Sequence, residues 1–300
     1  MPPHGVPWQP HESILRYEEI VDVIRVAAKE GIREVRLTGG EPLVRARLPD
    51  LIRMIADIPG IEDIALTTNG ILLEELARPL VEAGLKRINI SLDTLKPEKF
   101  TRITRGGSID RVWRGLRAAE ENGLLPIKLN IVAMRGLNDD ELVDLALLSM
   151  DHAWHIRFIE LMPIANQDPW GEGFPDSEKA YFSVDEMVSV LAPLGMVSIE
   201  KTIGNGPARE FRLPGSKGTI GFISPLGDSF CDQCNRLRLT ADGFFRPCLL
   251  SDVEIPIRQA IRTGDAILPL LMAAVALKPE GHELALEHYP KRRCMKEIGG

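Results

Sequence analysis

Residues 17–41, YEEIVDVIRVAAKEGIREVRLTGGE, hold in one stretch the alternation on which the fold rests. Residues 17–29 place Ile20, Val23, Ile24 and Ala27 on one helical face, the spacing of an amphipathic helix. Gly31 stands past the last turn, where a glycine commonly ends a helix. The β-rich segment EVRLTGG follows at once. The same unit then recurs outward along the chain: a helix around 48–57, strand DIALTTNG, a helix around 73–83, strand RINISLD and a helix around 110–122. Strand IKLNIVA, a helix around 139–149 and strand HIRFIELM continue it. Strands separated by helices point to parallel βαβ units with right-handed crossovers. The fold class is therefore α/β, as a doubly wound sheet or an incomplete TIM-like barrel. The strands end in Thr38-Gly39-Gly40-Glu41, Thr67-Thr68-Asn69-Gly70 and Ser91-Leu92-Asp93. Any one of these reads as a turn, but three in series mark the carboxyl end of a parallel sheet as a candidate site.

After Met162-Pro163 the character changes. Residues 164–180 read as a long Asn/Asp/Gly/Pro loop and 184–193 as a short helix. Segments around 196–202, 208–213, 219–223 and 236–240 read as short strands of an antiparallel, β-rich second region. Two helical stretches, about 252–263 and 266–277, follow. The expected division is 1–163 for the βα barrel portion and 164–300 for the smaller region. The apolar run from Ala266 to Leu277 contains Pro269 and is too short to span a bilayer, so a buried helix is expected there.

Composition narrows the function. Three hundred residues, 44% hydrophobic and 26% charged, describe a globular protein. A formal net charge of -7 argues against a general nucleic-acid binder, which needs a basic footprint. It leaves room for an anionic small molecule held by a few convergent arginines. The opening MPPHGVPWQPHESIL has neither the basic nor the apolar region of a secretory signal, so the expected home is the cytoplasm. Four cysteines in a reducing compartment read as free thiols or metal ligands.

The strongest cluster is Cys231-x2-Cys234-x13-Cys248. A structural zinc would want four closed ligands, and only Cys294 remains. A redox dithiol explains Cys231 and Cys234 but not Cys248. A [4Fe–4S] cluster on three cysteines keeps one iron open for a substrate. Spacing alone does not separate this last reading from zinc. Arg236 and Arg238 alternate just after the pair, so in a strand both guanidiniums could reach one anion beside the metal. GGEP is neither a Walker A loop nor a GxGxxG fingerprint, though its paired glycines let backbone approach a ligand. Lys128 and Arg157 are basic residues on otherwise apolar strands, which suggests a ligand or an ion pair for each, with Glu160 a nearby partner for Arg157. The six histidines form no metal or triad spacing, and His152 and His155 read as packing or surface residues. Lys291, Arg292 and Arg293 would ordinarily be a solvated charge run.

Taken together and in order, LTGGEPLVR, TTNG, NISLDTL, IKLN, IRFIELMPI, CDQCNRLRLT and the closing IGG resemble the GTP 3',8-cyclases, the radical S-adenosylmethionine enzymes of molybdenum cofactor biosynthesis. The resemblance covers essentially the whole chain. It implies an incomplete (βα)6 barrel with a C-terminal region over its mouth. It also implies conversion of GTP to (8S)-3',8-cyclo-7,8-dihydroguanosine 5'-triphosphate by radical chemistry. Cys231, Cys234 and Cys248 match the ligands of a C-terminal [4Fe–4S] cluster. Arg36, Thr67, Lys128, Arg236 and Arg238 match GTP contacts, and Gly40, Ser91 and Met162 match contacts to S-adenosylmethionine. Arg157 matches an active-site basic residue, and Gly299 and Gly300 match a double-glycine tail reaching toward the site. The partners implied are GTP, a second copy of the chain as a homodimer, and the downstream cyclic pyranopterin monophosphate synthase, with no nucleic acid and no membrane. One departure is large: the C-x3-C-x2-C motif of the family's N-terminal [4Fe–4S] cluster does not occur in these 300 residues. Met1-Pro2 lines up with the Met-Pro that commonly follows it. The expectation is therefore a barrel without its first strand, truncated at the N-terminus. Such a chain would bind one cluster and GTP and would not cleave S-adenosylmethionine.

Overall fold

The computed structural model describes residues 9–162, 174–176, 179–200, 206–226, 230–282, 290–293 and 297. Its first half alternates as the sequence reads. Helix α1 (Tyr17–Lys29) leads to β1 (Glu34–Leu37), α2 (Leu48–Ala56) to β2 (Asp63–Thr68), and α3 (Leu73–Glu82) to β3 (Arg87–Ser91). Helices α4 (Pro97–Thr104) and α5 (Ile109–Glu121) precede β4 (Ile127–Ala133), and α6 (Leu142–Asp151) precedes β5 (His155–Glu160). The second half has α7 (Val184–Leu191), β6 (Val197–Ser198), β7 (Arg209–Arg212) and β8 (Thr219–Ile223). Then come β9 (Arg238–Leu239), β10 (Phe244–Arg246), β11 (Ile255–Pro256), α8 (Arg258–Thr263) and α9 (Leu268–Ala276).

The main sheet runs β1-β2-β3-β4-β5-β8-β7-β6, and its first six strands are mutually parallel. Alternation sorts the two faces. Leu66, Ile88, Ile90, Leu129, Ile156, Phe158 and Ile220 turn outward and are fully buried under helix residues such as Ile52, Ile55, Leu80, Val112, Leu116 and Leu145. Each such side chain stabilises the fold by about 1.5–3 kcal/mol. The opposite face carries Arg36, Thr67, Asn89, Lys128, Asn130 and Arg157. Arg36 on β1 and Arg157 on β5 feel each other's charge. Four strand spacings in a flat sheet would part them by about 19 Å, well beyond the screening length, so the sheet is curled with its polar face inward. This is the incomplete TIM-like barrel.

Several elements depart from the sequence reading. Residues 219–223 are antiparallel on one edge only, to β7; on the other edge β8 lies parallel to β5, with His155 opposite Thr219 and Phe158 opposite Phe222. All five β8 residues are buried, and a strand buried on both faces carries no pattern that betrays its direction. β6 and β7 do extend the sheet antiparallel. The segment at 236–240 shortens to β9, which joins β10 and β11 in a separate three-stranded antiparallel sheet. The helix read at 252–263 begins only at Arg258, because β11 takes Ile255–Pro256. The apolar helix α9 is buried on one side only, through Leu271 and Ala274, while Met272 and Val275 are exposed. Leu271 and Ala274 pack with Phe245, Ile255, Val23 and Ala27, so the small sheet is seated on α1.

Gly218 admits β8 to the sheet. A Cβ there would collide with the Trp154 carbonyl oxygen and lie 2.8 Å from that of His152. Its own N–H donates to the Ser149 carbonyl at 2.8 Å. Gly218→Ala should therefore destabilise the protein by about 1–3 kcal/mol, as overpacking against backbone does. Chemical denaturation checks this, and an unchanged midpoint would contradict the close approach.

Candidate functional site at the barrel mouth

The inward face is built in layers set by the strand register. Thr67, Asn89, Lys128, His155 and Thr219 stand opposite one another across β2, β3, β4, β5 and β8. One layer nearer the carboxyl ends, Ser91, Asn130, Arg157, Gly221 and Glu210 do the same. Arg157 is buried, and its guanidinium is aimed by two amides. Nε donates to Asn130 Oδ1 and Nη2 to Asn89 Oδ1, both at 3.0 Å. Asn89 passes the constraint on by donating from Nδ2 to Thr67 Oγ1 at 3.1 Å. His155 shares a 2.7 Å hydrogen bond with the Thr219 hydroxyl. Glu160 is not Arg157's partner in this arrangement. Its carboxylate accepts from Val184 N at 2.8 Å and Ser224 Oγ at 2.9 Å.

Cations dominate the lumen. Burial, then the charges of Arg157, Arg87 and Arg36, pull the Lys128 ammonium down to about 8. Burial and Arg36 pull Arg157 down to about 9, and burial and Arg236 pull Arg238 down to about 10. Arg36 is lowered by burial, Arg236 and Arg87, although its side chain remains exposed to solvent on the edge strand. These guanidiniums stay charged at neutral pH. Arg87 differs, since it is held by the Asp63 carboxylate and lies 3.4 Å from Glu34. Glu34 thus closes the floor by pairing with Arg87. Five predicted residues, Arg36, Lys128, Arg157, Arg236 and Arg238, therefore crowd one space with Thr67 at its edge.

Carboxylates tie the strand ends around this space. Glu41 of GGEP accepts from Thr68 Oγ1 at 2.7 Å, Asn69 N at 2.7 Å and Leu43 N at 3.0 Å, locking the end of β1 to that of β2. A Cβ at Gly39 would meet nothing within 4 Å, so open space lies beside that backbone and next to Gly40. Asp93 accepts from Val132 N at 2.9 Å, and burial pushes its carboxyl up to about 6 against that bond. Ser91 is exposed at the end of β3 and Met162 half-buried just past β5.

The three cysteines lie beside Arg236 and Arg238. Cys231 opens a 3-10 turn, Cys231–Gln233, and Cys234 N donates back to the Cys231 carbonyl at 3.1 Å. Cys248 lies two residues beyond Arg246, which pairs with Arg238, and its sulfur accepts from Leu250 N at 3.4 Å. Burial raises the Cys234 thiol, but the Arg236 N–H and the charges of Arg236 and Lys278 outweigh it and lower the net value. Arg238 feels both Cys234 and Cys248. Cys231 and Cys234 line a hollow of about 510 Å³ with Val275 and Lys278. Among the described residues no three His, Cys, Asp or Glu side chains converge on a point that would hold one metal ion. Three thiols in a cationic, half-buried setting are the soft ligand type that zinc and iron–sulfur clusters both take.

Gly299, Gly300 and Cys294 lie outside the described residues. Of the tail's basic run, Arg293 is pinned, donating to the Asp242 carboxylate at 3.0 and 2.9 Å, and the backbones of Lys291 and Arg292 donate to Asp252. Sequence reasoning missed Asn89, Asn130 and Lys278, while His155, read as packing or surface, is buried. The two asparagines carried the signal that marked Lys128, a polar side chain at an alternate position in an apolar strand. Nothing local marks Lys278. His152 does pack on a surface, stacked on Trp154 at 3.8 Å.

Known proteins with related sequences and folds place the chain in a family. Residues 2–148 match the Radical SAM superfamily and residues 154–284 match Molybdenum Cofactor Synthesis C. The chain is 50% identical to the GTP 3',8-cyclase of Moorella thermoacetica over 303 residues, spanning 100% of this chain and 92% of that protein. With the GTP 3',8-cyclase of Pelotomaculum thermopropionicum the identity is 47% over 304 residues, at the same two shares. In fold it is similar to native anSMEcpe with bound AdoMet, at a TM-score of 0.55 and 13% identity, covering 95% of this chain and 79% of that one. By sequence over its full length the chain belongs to the GTP 3',8-cyclase family of the radical SAM superfamily.

Proposed function

We propose that the barrel mouth is the GTP site of a GTP 3',8-cyclase acting in molybdenum cofactor biosynthesis. One observation carries this reading above the rest: five cations crowd a half-buried lumen against their own repulsion, next to three thiols. A triphosphate relieves that repulsion as no neutral ligand can. Arg36, Lys128 and Thr67 would hold the phosphates and ribose from the strands, with Arg236 and Arg238 reaching in from the small sheet. Arg157, aimed by its two asparagines, would hold charge at the reacting end. Gly40, Ser91 and Met162, at three strand ends, are the proposed contacts to S-adenosylmethionine, and Gly299-Gly300 the proposed reach of the tail.

Membership of the radical SAM superfamily implies a [4Fe–4S] cluster and S-adenosylmethionine. Cys231, Cys234 and Cys248 would hold a second such cluster, whose open iron would supply a Lewis acid for the guanine. The C-x3-C-x2-C ligands of the radical-generating cluster are not among the 300 residues, and no step through it is assigned to them. In this reading the product passes to cyclic pyranopterin monophosphate synthase and the chain pairs as a homodimer. It works in the cytoplasm; no helix among the described residues is long and apolar enough to cross a membrane. The boundary at 163 is proposed to separate the βα units from the cysteine-bearing region, although β8 returns to the barrel.

Calorimetry on chain reconstituted anaerobically with iron and sulfide tests the site. GTP should bind far more tightly than guanosine, and Arg238→Ala should weaken GTP by about 10–100-fold, the loss of one charge-assisted hydrogen bond. Equal binding of GTP and guanosine would rule the reading out.

Lys128 gives a second test with an opposed pair of effects. Its pKa of about 8 in the folded chain lies below the ordinary 10.5, so the unfolded chain binds more protons between those values. The free protein should therefore gain stability as pH rises from about 8 to 10.5, with the repulsion fully present below 8. Lys128→Met should stabilise the free protein at pH 7 by about 1–3 kcal/mol while weakening GTP binding. In the unaltered chain, GTP affinity should fall as pH climbs through 8. Urea titrations with and without GTP would reveal either failure.

A further inference from the structure

Lys278 stands just past α9, its backbone N–H donating to the Val275 carbonyl at 3.1 Å. Its ammonium has three N–H donors and three acceptors around it. They are the Arg236 carbonyl at 2.9 Å, the Pro247 carbonyl at 3.1 Å and Cys234 Sγ at 3.5 Å. Those acceptors come from both arms of the cysteine hairpin. Arg236 lies two residues after Cys234, and Pro247 immediately precedes Cys248. The pairing between β9 and β10 reaches outward to Arg238 and Arg246. Lys278 bridges the two arms just beyond that last pair, where the cysteines lie. A lysine following a helix is commonly a solvated partner of the helix dipole, but such a role specifies no acceptors. Here the ammonium is half-enclosed and its end of α9 is fixed, because Leu271 and Ala274 are buried against Phe245 and Ile255.

We propose that Lys278 is a positioning residue of the cysteine hairpin: it replaces the missing rungs between the two arms and places a fixed positive charge against the Cys234 sulfur. The proposal rests on the reading of Cys231, Cys234 and Cys248 as cluster ligands. Two consequences are separable. The bridge sets how firmly the hairpin keeps its iron, and the charge with its N–H···S bond favours the reduced, more negative state of the cluster.

The test uses the full chain, reconstituted anaerobically with iron and sulfide, as unaltered protein, Lys278→Met and Lys278→Gln. Iron and acid-labile sulfide content, the rate of iron release to a chelator and the reduction potential are measured on each. Lys278→Met loses both bridge and charge. It should release iron about tenfold faster or more, as loss of an outer-shell partner does, and its potential should fall. Lys278→Gln keeps donors for the two carbonyls without the charge, so its potential should fall while its release rate stays near that of the unaltered chain. A purely structural lysine would leave the potential in place, and an unshifted potential in Lys278→Gln overturns the proposal even if Lys278→Met does not fold. Failure of the unaltered chain to take up iron and sulfide would sink the cluster reading itself, and this inference with it.

Discussion

Like charges held together in a half-buried space are the constraint around which this molecule is organised. Burial, and then the charge of at least one other of the group, depresses the ionisation of Arg36, Lys128, Arg157 and Arg238, with Arg236 acting on Arg36, Arg157 and Arg238. Such an arrangement persists only where the frame over-determines it. Here the frame is a parallel sheet whose outward face buries an almost continuous apolar layer, which leaves the inward face to carry the charges. Neutral dipoles do much of the local work. Asn130 and Asn89 accept from Arg157 without neutralising it, so its position is fixed and its charge remains available. Arg87, one layer below, is instead matched by Asp63 and Glu34. The floor is thus compensated by two carboxylates, and in the layers above it Glu210 offsets part of the charge of Arg157 and Lys128.

A second device repeats round the rim. Glu41, Asp93 and Glu160, at or just past the ends of the first, third and fifth strands, each accept a backbone N–H from a different segment: Asn69, Val132 and Val184. Carboxylates at a site rich in arginine would be expected to quench it. Turned away into backbone N–H groups, they brace adjoining strand ends. The GGEP turn illustrates the division of labour. Its glycines leave room beside the chain, and its glutamate stitches the ends of β1 and β2.

Much of this was legible in the sequence, for local reasons. The βα alternation from Tyr17 to Glu160 announces itself through periodicity, and the chemistry-bearing residues announce themselves as interruptions of it. Lys128 and Arg157 stood out because a charge in an apolar strand needs a reason, and the cysteine–arginine segment through its spacing. What stayed hidden depends on partners far along the chain. The direction of β8 could not be read because all its residues are buried. Lys278 follows an unremarkable apolar run, and its meaning comes from acceptors more than thirty residues away. His155 is buried, in keeping with the packing reading, and its hydrogen bond to Thr219 follows from the register of the sheet.

That register has a bearing on how the protein is made. β5 presents Ile156 and Phe158 on an edge that has no neighbour until β8 has been synthesised, and His155 and Thr219 are 64 residues apart. At about 5–20 residues per second on the ribosome, the edge waits about 3–13 s for its partner. During that interval the nascent chain exposes an apolar strand with unmet backbone groups, the surface that chaperones bind and that other chains can pair with. The strand that completes the parallel sheet is thus also the one that ends its most vulnerable period.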